Sequence, residues 1–157
     1  MKTTLSLVCG GCLVSAAAFF SSAVMAHGDV TPQAVDTHTL PPLGEPLRAE
    51  NPYRELPQAV TVGTSAYTQN CARCHGIGAV SGGMSPDLRE LDSECLDQKD
   101  EVKKAACFKE VDQYFLSITM KGKVRNGVEK MPSFGGTFNQ EAVWAIKTYL
   151  ETRRAVN

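Results

Sequence analysis

Cys71-Ala72-Arg73-Cys74-His75 is the stretch on which the reading of this 157-residue chain turns. Two cysteines three positions apart, with a histidine directly after the second, form the attachment signature of c-type haem. The thiols add across the two vinyl groups of a porphyrin, and the histidine lies beneath the iron as its proximal ligand. Residues i and i+3 of one helical turn share a face, so both sulfurs can reach one edge of one macrocycle. A structural zinc site would need a second Cys/His pair at ligand spacing. The later cysteines, Cys95 and Cys107, have eleven residues between them and no neighbouring histidine. A thioredoxin-type centre would need a βαβ setting, which the flanks do not offer.

Immediately upstream, Gly63, Ala66, Tyr67 and Asn70 recur at helical spacing and run into the motif. Immediately downstream, Gly76, Gly78, Gly82 and Gly83 break the helix into a loop that Pro86-Asp87-Leu88 closes. At the other end of the chain Asn139 is a good N-cap, with Glu141 in the first turn. Ala142, Val143, Ile146, Tyr149 and Leu150 form an apolar stripe there, with Trp144 beside it as a packing residue. Lys147, Arg153 and Arg154 suit the C-terminal end of that helix. The small face at Gly63 and Ala66 suits a close crossing by this bulkier helix.

Residues 1–26 combine Lys2, an apolar run from Leu5 to Phe20 and the small-residue end Ser21-Ser22-Ala23-Val24-Met25-Ala26. That is the layout of a secretory signal cut after Ala26. The run is shorter than the roughly 20 apolar residues of a spanning helix, and Cys9-Gly10-Gly11 ahead of Cys12 fits a lipid-attachment box poorly. Periplasmic export is therefore expected. Removing Cys9, Cys12 and Lys2 leaves 15 Lys+Arg against 17 Asp+Glu, a formal charge of −2. Such a balance argues against nucleic acid as a partner. Residues 27–61 carry Pro32, Pro41, Pro42, Pro46, Pro52 and Pro57, which predict an irregular extension. Val30, Val35, Leu40, Leu43, Leu47 and Leu56 could lay it across the surface of a domain spanning 62–157; His27 and His38 read as loop histidines.

A helix ending in Cys-x-x-Cys-His, a glycine loop closed by Pro-x-Leu, a middle helix, a Met-Pro loop and an aromatic C-terminal helix resemble a class I cytochrome c over about Val62 to Arg153. The resemblance implies an all-α fold whose N- and C-terminal helices cross and whose core holds a covalent haem c. More narrowly, the segments from His75 to Leu88 and from Gly122 to Phe134 are similar to the periplasmic cytochrome that accepts electrons from quinoprotein (PQQ-dependent) alcohol dehydrogenases.

Carried onto this chain, the family pattern implies that Cys71 and Cys74 hold the haem, that His75 is the proximal ligand, and that the Pro86 carbonyl accepts the His75 Nδ1–H. The distal ligand should be a methionine sulfur, a soft donor that favours ferrous iron. Met84 follows His75 by only nine residues. Met120 falls in the apolar pattern of the middle helix with Val111, Tyr114, Phe115 and Ile118, which suits a core role. Met131 precedes Pro132, which holds it extended, and is the assigned ligand. Arg125 is a candidate partner for a haem propionate.

Relative to the minimal family pattern, residues 89–108 are an insert. In an exported protein its Cys95 and Cys107 read as a disulfide. Six acids (Glu90, Asp92, Glu94, Asp97, Asp100, Glu101) crowd its first half, whereas Lys121, Lys123, Arg125 and Lys130 flank the Met-Pro loop. The expected function is a one-electron shuttle with no catalytic residue of its own. Its expected donor is a quinoprotein alcohol dehydrogenase, and its acceptor a terminal oxidase or another cytochrome. Two alternatives stand beside it: an open-site haem enzyme or gas sensor, if Met131 does not bind iron, and a haem-free thiol–disulfide oxidoreductase.

Overall fold

The first helix, α1 (Pro57–Asn70), starts on a proline. At the first helical position a missing N–H costs no hydrogen bond, and the fixed φ of proline is already helical. Residues 57–61 are therefore helical where the density of prolines predicted irregular chain. The computed structural model describes residues 31–155; the expected signal sequence, with His27 and Val30, lies outside them. After α1 come α2 (Ala72–His75), 3-10 turns at Ile77–Ala79 and Leu88–Glu90, and α3 (Ser93–Leu96). The long α4 (Glu101–Lys121), strands β1 (Lys123–Arg125) and β2 (Val128–Met131), and α5 (Gln140–Glu151) complete the order.

The crossing of α1 and α5 organises the rest. At Gly63 a Cβ would lie 2.0 Å from the Ala145 carbonyl oxygen, so the two backbones touch where only glycine fits. Asn139 caps α5 by accepting the Ala142 N–H at 3.0 Å. Every residue from Ala142 to Leu150 is buried, because α5 serves two cores. Ala142, Val143, Ile146 and Tyr149 face Ala66, Tyr67, Phe115 and Phe134. Trp144 and Ala145 face Ala59 and two residues of the N-terminal extension, Leu40 and Tyr53. The extension is thus built into the domain rather than laid over it. Its backbone N–H groups at Leu43, Arg48 and Asn51 donate to Glu141, Gln140 and Asp112 at 2.7, 2.9 and 2.8 Å.

Lys147, expected near the solvated end of α5, is instead fully buried. Its Nζ pairs with Asp92 at 3.0 Å, Asp112 at 3.5 Å and Glu151 at 2.7 Å. Arg54 adds pairs to Asp112 and Glu151, and Arg154 a pair to Asp92. Both guanidiniums stand over the Phe108 ring, at 5.3 and 5.4 Å. Three cations against three carboxylates make a neutral cluster, the form in which buried charge is tolerated. It knots the extension, the insert, α4 and α5 together.

The insert is stapled by the expected Cys95–Cys107 disulfide, whose Cα atoms lie 5.4 Å apart. An all-α fold was expected, and the structure is mostly helical, with one short antiparallel hairpin in the basic segment. Asn126 and Gly127 turn it with φ of 53° and 73°, the left-handed pair that an Asn-Gly hairpin turn requires. Among the described residues no helix is long and apolar enough to cross a membrane.

Candidate haem-binding site

Helix α1 hands the chain directly to the cysteine motif. The Cys71 N–H donates to Tyr67 O at 2.8 Å, and the His75 N–H to Cys71 O at 2.9 Å. Gly76 (φ 84°) then ends the turn, and a Cβ there would lie 1.8 Å from the Val80 carbonyl oxygen. The Tyr67 hydroxyl donates to Gly76 O at 2.8 Å, and its ring packs on Tyr149 at 5.1 Å. The motif is therefore fixed to the helix crossing from both ends.

Neither Cys71 nor Cys74 is in a disulfide, and both are half-buried. Before haem is attached, burial, and secondarily the adjacent Cys74, pushes the Cys71 thiol up to about 12. Thiol–disulfide oxidoreductases need the opposite, a depressed pKa that supplies thiolate at neutral pH. His75 Nδ1–H donates to the Pro86 carbonyl at 3.0 Å, as the family resemblance implied. That bond sets the tautomer and leaves Nε2 as the basic nitrogen. Among the described residues no group of three or more His, Cys, Asp or Glu could hold a bare metal ion.

Beside the motif lies a cavity of about 420 Å3, within the roughly 300–1,000 Å3 of pockets that bury a cofactor-sized ligand. Cys71 and His75 line it, together with Leu88 at the end of the glycine loop and Leu91 at the start of the insert. Phe115, Ile118, Phe134 and Ile146 supply further apolar wall. An adjoining void of about 30 Å3 touches Cys74, His75 and Met131 together. The donor set and the apolar wall fit a porphyrin tethered at one edge. Lys123, Arg125 and Lys130 line the same cavity and are exposed, a cationic rim suited to carboxylates.

The three methionines separate clearly. Met131 lines both cavities. Met84 lines the larger one but is 79% exposed, two residues ahead of the Pro86 that serves His75. Met120 lines neither and packs into the core. The loop after Met131 is pinned to the end of α4: Ser133 Oγ donates to Met120 O at 2.6 Å, and the Phe134 and Gly135 N–H groups to Thr119 O and Met120 O, each at 3.0 Å. The sequence groups Lys121, Lys123, Arg125 and Lys130 beside the Met-Pro loop and singles out Arg125; of these Lys123, Arg125 and Lys130 line the cavity. Their common position comes from the hairpin, which the Asn126-Gly127 pair signals.

Residues 58–150 match the family described as cytochrome c oxidase, cbb3-type, subunit III. The chain is also 46% identical over 146 residues to cytochrome c550 of Pseudomonas aeruginosa, covering 90% of this chain and 91% of that one. The chain belongs to the cytochrome c family. Its cofactor is a covalently bound haem c, and its role is electron transport. Two longer relatives share the cytochrome part. Quinohemoprotein alcohol dehydrogenase ADH-IIG of Pseudomonas putida is 38% identical over 95 residues, 60% of this cytochrome but 11% of that enzyme. Quinohemoprotein alcohol dehydrogenase ADH IIB of the same species is 31% identical over 116 residues, 72% of this chain and 14% of the other. No solved structure matches the cytochrome significantly.

Proposed function

We propose that this cytochrome is a periplasmic one-electron carrier that holds its haem c through Cys71 and Cys74, with His75 and Met131 as the two axial ligands. It takes electrons from a quinoprotein alcohol dehydrogenase, passes them to a terminal oxidase or another cytochrome, and catalyses nothing itself. The observation that carries this reading is the gathering of Cys71, Cys74, His75 and Met131 around one apolar cavity and its adjoining void. Bound there, haem c supplies the ferric/ferrous couple. The chain supplies the rest. Pro86 fixes the His75 ring, the pinned loop presents the Met131 thioether, and the surrounding aliphatic and aromatic side chains exclude water. With His75 and Met131 both on the iron, no position would be left for substrate or dioxygen. The donor is supported by the likeness to quinohemoprotein alcohol dehydrogenases, in which a similar domain and an alcohol-oxidising enzyme share one chain.

Carbon monoxide added to the reduced protein tests the ligation. Refusal to bind is expected, and ready binding would indicate the open-site enzyme or sensor. Stopped-flow reduction by a quinoprotein alcohol dehydrogenase tests the donor: rapid, saturable reduction supports it, and failure removes it while leaving the carrier reading intact.

A further inference from the structure

The His75–Pro86 hydrogen bond is only as well fixed as the peptide that bears the carbonyl, and that peptide runs straight into Asp87. Each carboxylate oxygen of Asp87 accepts two hydrogen bonds. Oδ1 takes the Arg89 backbone N–H and Nε, both at 3.0 Å. Oδ2 takes the Arg89 Nη2 at 2.8 Å and, across the loop, the Ser81 N–H at 3.3 Å. Ser81 in turn donates its hydroxyl to the Ser85 carbonyl and accepts the Gly83 N–H at 3.0 Å. The loop between residues 81 and 87 is therefore closed at its neck while its tip, Met84, stands in solvent. A bidentate guanidinium–carboxylate pair specifies geometry as well as energy. The carboxylate also caps the 3-10 turn Leu88–Glu90, so Pro86 is held from both sides.

We infer that the Ser81–Asp87–Arg89 clamp positions the Pro86 carbonyl on His75 and thereby sets the redox potential of the cytochrome. This rests on His75 being an axial ligand. A hydrogen bond accepted from Nδ1–H raises the basicity of the ligating imidazole, which stabilises ferric iron and lowers the potential; second-shell hydrogen bonding is one of the levers a protein has on haem. Asp87 and Arg89 are oppositely charged and close together, so their fields largely cancel at a distance. What the pair contributes to the haem is direction rather than charge. Loosening it lets the carbonyl swing away, the imidazole becomes a weaker donor to iron, and the potential rises. Asp87 and Arg89 are positioning residues, acting through Pro86.

The signs separate this from a simple charge effect. If Arg89 acted only as a nearby cation, Arg89→Gln would lower the potential, and Arg89→Lys, which keeps the charge but not the fork, would leave it unchanged. The clamp requires Arg89→Lys to raise it, because there the charge is kept and only the fork is lost; in Arg89→Gln the uncompensated Asp87 carboxylate opposes the rise. It also requires faster solvent exchange of the His75 Nδ1 proton in the reduced protein, read by NMR. A potential that stays at the wild-type value or falls in Arg89→Lys, or a His75 Nδ1 proton that exchanges at the wild-type rate in both variants, overturns the clamp. Both substitutions fall on a side chain outside the apolar core, and an unchanged ultraviolet circular dichroism spectrum checks that each variant is folded. The underlying ligation is read separately in the oxidised wild type. His75 ring protons without a paramagnetic shift would remove the ligand assignment itself, whatever the variants do.

Discussion

Under the proposed ligation, the side chain that decides whether this cytochrome can do anything besides carry electrons is Met131. It reaches the same void as Cys74 and His75, whereas Met120 is spent on the core and Met84 on solvent. Met131→Ala is expected to lower the potential, because a soft thioether favours the ferrous state, and to let carbon monoxide bind the reduced protein. A wild-type spectrum in that variant would place the ligand at Met84 instead. Sequence spacing favours Met131; it is silent about Lys147, which looks in the sequence like any solvated lysine near a helix end. Only the fold shows that Asp92, Asp112 and Glu151 converge on it from three segments. That convergence makes Asp92 sensitive to acid. Burial raises its pKa, but the Arg154 hydrogen bond and the Lys147 charge outweigh that and hold the carboxyl below its ordinary 3.8. A group depressed in the folded state contributes stability above its unfolded pKa and loses it as pH falls through the folded value. Melting temperature should therefore decline as pH falls below about 4, and Asp92→Asn should flatten that decline while lowering stability at neutral pH. An unchanged acid profile in Asp92→Asn would mean that Asp92 is not part of the acid response.

Among the secondary-structure elements, α1 and α5 are legible in the sequence because their patterns are long and periodic, and Asn139 announces its helix with a cap. Pro57 reads as a breaker because a proline interrupts a helix everywhere except in its first turn, and the sequence does not say which turn it is in. The hairpin at 123–131 is obscured by the Met-Pro loop it joins, although Asn126-Gly127 is the strongest short signal for such a turn. The disulfide is legible from parity and compartment rather than from geometry, and it ties buried Cys95 of α3 to the first half of α4. Closing so short a loop is worth roughly 2–4 kcal/mol through the unfolded chain. Replacing Cys95 and Cys107 together by serine should lower thermal stability by about that amount. Neither cysteine lines the haem cavity, so the visible spectrum should not change. Full stability in the double variant would show that the ion cluster around Lys147, not the staple, holds the insert.

The chain taken as a whole is nearly neutral but polar in its distribution. Glu90, Glu94, Asp97, Asp100 and Glu101 are exposed on the insert, while Lys121, Lys123, Arg125 and Lys130 are exposed around the hairpin. Three of those cations line the cavity in which the haem is proposed to sit, so the end through which an electron would pass carries a concentrated positive rim. Exposed valines at positions 124 and 128 sit among them, giving an encountering surface something apolar to close on. A field of this kind acts mainly on the association rate: it orients an acidic partner face before contact and can speed encounter by 10-fold or more at low salt. At physiological ionic strength the screening length is only about 8 Å, so the advantage shrinks as salt is added. Reversing Lys121 and Lys123 to glutamate should therefore slow reduction by the donor about 10-fold or more at low ionic strength. The rates of variant and wild type should converge as salt rises, and the thermal stability should stay as it was because both side chains are exposed. If the variant is reduced at the wild-type rate with the wild-type salt dependence, docking takes place on another face.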